Sequence, residues 1–243
     1  MSTDCCKSGF NWDGKPTGKE TTLAGNKAYV TGSNKDAAIL FVHDVFGWTF
    51  NNLRLLADHY AKEANATVYL PDFFGGEVVA VEILDDPERR EAFDFPSFAS
   101  RNSKEKRYPE LLACAKTLKS QYKKVGAIGF CYGGWAVFQL GADANLLSCI
   151  STAHPSLLEK KEIDGLRVPT QILAPENDFQ LTPELKEYCN KAIPGNAVPY
   201  EYVFFPGLEH GFAGRGDPKD VKQKEGLERA KRAAVNWFKE WLH

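Results

Sequence analysis

At about 150 residues per domain, a chain of 243 residues holds one large α/β domain or two small ones, and 43% hydrophobic against 26% charged side chains exclude collagen-like, disordered and coiled-coil architectures. Thirty basic and 32 acidic residues leave a net charge of -2, which offers no sign bias to nucleic acid or to an anionic membrane. No run approaches the about 18 apolar residues of a membrane span and Met1-Ser2-Thr3-Asp4 opens no apolar leader; we therefore expect a cytoplasmic protein whose six cysteines are reduced.

Residues 37–42 form an uninterrupted apolar run that ends at His43-Asp44, the pattern of a strand buried on both faces of a parallel sheet. Leu53, Leu56, Tyr60, Ala61 and Ala64 then repeat at helical spacing, and residues 66–70 read as a second strand. Tyr108, Leu111, Leu112, Ala115 and Leu118 mark another helix, followed by apolar runs at 125–130, 147–152, 170–174 and 200–205. A long amphipathic helix over about 218–242 closes the chain, with Ala230, Ala234, Trp237, Phe238 and Trp241 along its stripe.

Strands alternating with helices predict a doubly wound, mostly parallel α/β sheet with helices on both faces. No linker or internal repeat divides the sequence, so one domain is expected over 1–243. The stretch 72–102 does not fit the alternation. It contains Gly75-Gly76, Pro87 and Pro96 and is too long for a structureless loop, so short helices covering a pocket are expected there.

The chemistry concentrates at Gly129-Phe130-Cys131-Tyr132-Gly133-Gly134, directly after the run 125–130 and before the apolar segment 135–140. This is the strand–turn–helix setting of a nucleophile elbow, with Cys in the place of Ser. The glycines leave room where a Cβ would collide with the neighbouring strand or helix, and the start of a helix favours a thiolate. Cys114, Cys149 and Cys189 fall on helix or strand faces and Cys5-Cys6 precede any element, so the other five cysteines read as buried hydrophobes or exposed thiols.

A thiol nucleophile needs a base. His59 lies in helical sequence and His243 ends the chain, which leaves His43, His154 and His210 at strand ends. His210 alone fits the order nucleophile, acid, histidine. The acid is expected at a strand end between Cys131 and His210; Asp178 is chosen, with Glu176 as the alternative and a plain solvated turn as the bland reading.

These residues carry a resemblance. Cys5-Cys6 with Gly9 and Gly14, His43-Asp44-Val45-Phe46-Gly47, Pro71-Asp72, Gly129 to Gly134, Ala153-His154-Pro155-Ser156 and His210-Gly211-Phe212-Ala213 are similar to the dienelactone hydrolase family of the α/β-hydrolase superfamily, most closely its fungal cytosolic branch. The resemblance implies an α/β-hydrolase fold, a Cys131–His210–Asp178 triad, and an acidic residue at Asp44 that holds or activates the cysteine unless it only caps the following turn. Val45 and Tyr132 would supply oxyanion-hole N–H groups. Arginines bind the substrate carboxylate in bacterial relatives; Arg215 is the candidate here, with Arg89, Arg90 and Arg101 in the lid segment. His154 is either a pocket residue or a hydrogen-bonded structural histidine.

The expected activity is hydrolysis of a dienelactone-like or butenolide-like lactone or an activated ester through a thioester, requiring no metal or organic cofactor. The expected partner is the small-molecule substrate, with neither nucleic acid nor membrane, and the chain is a monomer or homodimer. A metal-assisted hydrolase built on His43, Asp44, Asp72 and His154 lacks any tight ligand spacing. A catalytically silent binding protein that keeps the triad by descent is the alternative, because fold does not dictate function.

Overall fold

The computed structural model describes residues 12–80, 83 and 86–243. Cys5, Cys6 and Gly9 lie outside them. One sheet of eight strands runs through the molecule in the order β1-β2-β4-β3-β5-β6-β7-β8: β1 Lys19–Leu23, β2 Asn26–Thr31, β3 Ala37–Val42, β4 Thr67–Pro71, β5 Lys124–Phe130, β6 Cys149–Ala153, β7 Thr170–Asn177 and β8 Tyr200–Glu209. The pairs from β4 through β3 to β8 are parallel, and β1–β2 and β2–β4 are antiparallel. This is the mostly parallel sheet of an α/β-hydrolase fold.

The antiparallel hairpin is absent from the sequence reading. Its edge strand β1 is polar, with Lys19, Glu20 and Thr22 exposed and Thr21 half-buried, so no apolar run announces it. The connecting Ala24-Gly25 pair has positive φ at both positions (49° and 87°), as a two-residue type I′ turn requires.

The helices are α1 Asn51–Glu63, α2 Pro87–Ala92, α3 Phe95–Arg101, α4 Lys104–Gln121, α5 Gly133–Leu140, α6 Lys160–Asp164, α7 Pro183–Gly195, α8 Phe212–Arg215 and α9 Val221–Leu242. In β5, a Cβ on Gly126 would meet Phe238 of α9, whereas one on Gly129 would meet Gly133 and Val137 of α5. The two glycines have opposite parity along the strand, so α9 and α5 cover opposite faces. β3 is buried at every residue because both faces are covered, which is why it reads as an unbroken apolar run.

Residues 72–102 hold the short helices α2 and α3. Asp94 caps α3 by accepting the Ser97 N–H, and Phe98 of α3 packs edge-on against Phe74, which packs in turn on Tyr132 beside Cys131. That aromatic chain ties the segment to the elbow. No helix among the described residues is long and apolar enough to cross a membrane.

Candidate active site

Cys131 stands in the turn between β5 and α5 with φ at 48°, in the left-handed region that non-glycine residues seldom enter. Hydrogen bonds hold it there. Its N–H donates to the Ala153 carbonyl (3.2 Å), and its own carbonyl accepts from the N–H groups of Gly134 (2.9 Å) and Ser156 (2.8 Å). The glycines have the steric purpose their spacing suggests: a Cβ would fall 2.1 Å from the Gly133 carbonyl oxygen at Gly129, 2.3 Å from that of Val42 at Gly133, and 2.3 Å from Pro155 Cβ at Gly134.

Sheet register brings the acid to the base. β7 and β8 run past their apolar segments until Asn177 pairs with Glu209, so Asp178 and His210 leave adjacent parallel strands at the same level. Imidazole Nδ1 of His210 lies 3.0 Å from both Asp178 carboxylate oxygens, and both side chains are almost wholly enclosed. Asp178 Oδ1 is fixed from behind by the N–H groups of Gln180 (2.8 Å) and Leu181 (3.0 Å). Glu176, the alternative acid, instead accepts the Gly207 N–H at the strand end.

Burial opposes a charge on His210, but its interactions with Cys131 and the hydrogen bond to Asp178 outweigh it and raise the imidazole well above the ordinary histidine range. Ser156 lies between nucleophile and base, its Oγ 3.4 Å from Cys131 Sγ and 3.5 Å from His210 Nε2.

His154 is fully buried. Its ring stands edge-on to His210 (4.8 Å between centroids), with Phe130 and Phe212 alongside, and among the described residues neither ring nitrogen has a hydrogen-bond partner. Burial, then the charges of His210 and Arg215, push its pKa far down. His154 packs on the ring of His210, and burial favours its neutral form.

Asp44 follows β3. Its Oδ1 accepts the Phe46 N–H at 3.0 Å, closing the turn, and its Oδ2 faces Arg215 Nε at 3.7 Å. The peptide after it is oriented by His43, whose Nδ1 donates to the Asp44 carbonyl (2.7 Å) while Nε2 accepts the Phe73 N–H (3.0 Å). The Asp44–Val45 peptide is trans, so fixing that carbonyl turns the Val45 N–H the opposite way. Tyr132 is the N-cap residue of α5, and its hydroxyl donates to the Asn102 carbonyl (2.9 Å).

The arginines are dispersed. Arg215 is buried against Asp44 and the Phe46 ring, Arg101 is paired with Glu77, and exposed Arg89 is paired with Asp86. The side chain of Arg90 is outside the described set. Among the described residues no cluster of three or more His, Cys, Asp or Glu could hold a metal ion.

The arrangement matches a known group of proteins. A family model described as the dienelactone hydrolase family matches residues 26–242. The chain belongs to the dienelactone hydrolase family. It is 30% identical to the human carboxymethylenebutenolidase homolog, covering 98% of this chain and 96% of that protein, and 28% identical to hydrolase tropI of Talaromyces stipitatus, covering 99% and 97%. A putative dienelactone hydrolase from Klebsiella pneumoniae shares the fold with a TM-score of 0.71 at 16% identity, over 91% of this chain and 98% of that one.

Two features of this dienelactone hydrolase family member escape the sequence. Ser156 falls in a segment that carries the family resemblance but receives no role from it, and the fold-back of residues 154–157, with positive φ at His154 and Leu157, carries it over Cys131. The bidentate role of His43 has no sequence signal beyond its place at a strand end.

Proposed function

We propose that the chain hydrolyses a lactone or activated ester of the dienelactone or butenolide type through a thioester on Cys131. The observation that carries the reading is the His210–Asp178 contact: with both carboxylate oxygens on Nδ1, the imidazole keeps its Nδ1 proton and offers Nε2 toward the cysteine. The fold alone leaves room for a silent relative, but a buried nucleophile, acid and base at the same end of β5, β7 and β8 support turnover.

The Cys131 sulfur anion attacks the carbonyl carbon, and the carbonyl electron pair moves onto oxygen against the N–H groups of Val45 and Tyr132. The adduct collapses, the ring C–O bond breaks, and the leaving oxygen takes the Nε2 proton of His210. Neutral His210 then removes a proton from water, whose oxygen bonds to the thioester carbon. Collapse breaks the C–S bond, releases the acid and restores the charged pair. Thiolate is itself a good leaving group, so the first adduct goes forward only when the departing oxygen is stabilised, which favours enol lactones and activated esters over alkyl esters. The cycle calls on no metal or organic cofactor.

The test is a panel of lactones and activated esters on wild type and Cys131→Ala, with intact-protein mass spectrometry after rapid acid quench. A substrate-derived adduct on Cys131 and loss of turnover in Cys131→Ala are expected. Turnover by Cys131→Ala at the wild-type rate rejects the mechanism.

A further inference from the structure

We propose that Ser156 is a further catalytic residue, its hydroxyl bridging Cys131 and His210 so that the sulfur anion is held by an O–H donor at rest and again when the thioester breaks. The inference rests on the cysteine mechanism proposed above and adds a component to it. Ser156 Oγ lies 3.4 Å from Sγ and 3.5 Å from Nε2, and the residue is only 5% exposed. A serine hydroxyl has one proton and two lone pairs. In the charged pair of the proposed cycle, the serine O–H points at sulfur while its lone pair is open to the Nε2 proton, which the sulfur also accepts.

The backbone commits to this placement. Residues 154–157 double back over the elbow with φ of 40° at His154 and 59° at Leu157, and the Ser156 N–H donates to the carbonyl of Cys131 itself (2.8 Å). Left-handed backbone at two non-glycine positions costs energy, and such strain gathers where surrounding structure holds a functional group in place. Pro155 packs directly on Gly134, where a Cβ would fall 2.3 Å from Pro155 Cβ, so the segment carrying the serine lies tight against the start of α5.

The hydroxyl acts differently in the two half-reactions. In acylation it stabilises the anion that attacks. Once the C–S bond has formed, sulfur is a weak acceptor, and the hydroxyl is free to turn as His210 takes up its proton from water. In the return step the C–S bonding pair goes to sulfur, which finds the O–H donor already in place. Removing the hydroxyl therefore slows acylation more than attack of water on the thioester. Among the described residues, Asp178 faces His210 from the end of β7 and His154 lies against the His210 ring from the end of β6, with Arg215 of α8 acting on His154.

Ser156→Ala and Ser156→Thr are compared with wild type by iodoacetamide alkylation of Cys131 across pH, followed by mass spectrometry, and by the pre-steady-state burst on an activated ester. In Ser156→Ala, alkylation near neutral pH and the burst rate are expected to fall about 10- to 100-fold, the span of a hydrogen bond to a charged group. The rise of alkylation with pH moves to higher pH while KM changes little. Ser156→Thr, which keeps the hydroxyl, restores the profile. Wild-type alkylation and burst in Ser156→Ala, with Cys131→Ala inactive, overturn the role of Ser156 and leave the nucleophile standing; an active Cys131→Ala instead overturns the nucleophile.

Discussion

Arg215 and Asp44 form a buried ion pair, Nε lying 3.7 Å from Oδ2 with both side chains almost wholly enclosed. The pair joins the turn after β3 to α8, just past His210, and the guanidinium also lies over the Phe46 ring at 5.0 Å. The family resemblance points Arg215 at a substrate carboxylate and Asp44 at the cysteine. Their mutual contact gives each a structural task, fixing the turn after β3 against the loop that follows His210.

Removing one partner from a buried pair strands the other charge, which costs about 3–5 kcal/mol. Arg215→Leu is therefore expected to lower the free energy of unfolding by that order in urea titrations. Its effect on KM should be similar for carboxylated and neutral lactones. A selective rise for carboxylated substrates at unchanged stability would return Arg215 to an anchoring role.

Asp178→Asn tests the acid. The amide oxygen would keep the Gln180 and Leu181 N–H groups that Oδ1 now accepts, which turns the NH2 toward Nδ1 and forces the proton onto Nε2, the wrong tautomer for a base. Turnover should fall by about 10²- to 10⁴-fold. Loss of the carboxylate also removes part of what raises His210, so its titration, followed by NMR of the imidazole protons, should move to lower pH. Glu176→Gln should change turnover little, because that side chain serves the Gly207 turn.

How much of this was legible in the sequence depended on burial. Residues 37–42 and 125–130 stand out because both their faces are covered, and Cys131 directly follows the second run; Asp178 and His210 are singled out by their order along the chain after it. The β1–β2 hairpin was hidden by its polar edge residues, and the ends of β7 and β8 by Glu176, Asn177 and Glu209, which pair in the sheet although they are polar. Ser156 and His43 meet partners distant in sequence, Ser156 with His210 and His43 with Phe73, and spacing along the chain does not encode such a meeting.

Gly134→Ala probes the packing behind the elbow. The added Cβ would sit 2.3 Å from Pro155 Cβ and 2.5 Å from its Cα, against backbone rather than a flexible side-chain tip. Overpacking of this kind costs about 1–3 kcal/mol. Relief must come from moving 154–157, so turnover should fall alongside the melting temperature. A variant that loses stability at full activity would show that the position of Ser156 is not critical.

His43 links stability to pH. Its Nε2 accepts the Phe73 N–H, so protonation there would set two donors face to face; burial is the main reason its pKa falls to about 4, with the bond to the Asp44 carbonyl opposing. Unfolded, the ring titrates near 6.5. Between those values the unfolded chain binds a proton that the folded ring refuses, so acidification from 6.5 toward about 4 destabilises the fold by up to about 1.36 kcal/mol per pH unit. In His43→Asn the amide can still donate to the Asp44 carbonyl but cannot titrate. Its unfolding free energy should therefore depend less steeply on pH in that window, by as much as one proton, while kcat stays well above that of His43→Leu, which loses the donor that orients the Val45 peptide. Chemical denaturation at several pH values checks the first outcome, and steady-state kinetics at neutral pH the second. Parallel pH profiles for His43→Asn and wild type would mean that the folded ring takes up its proton like any exposed histidine.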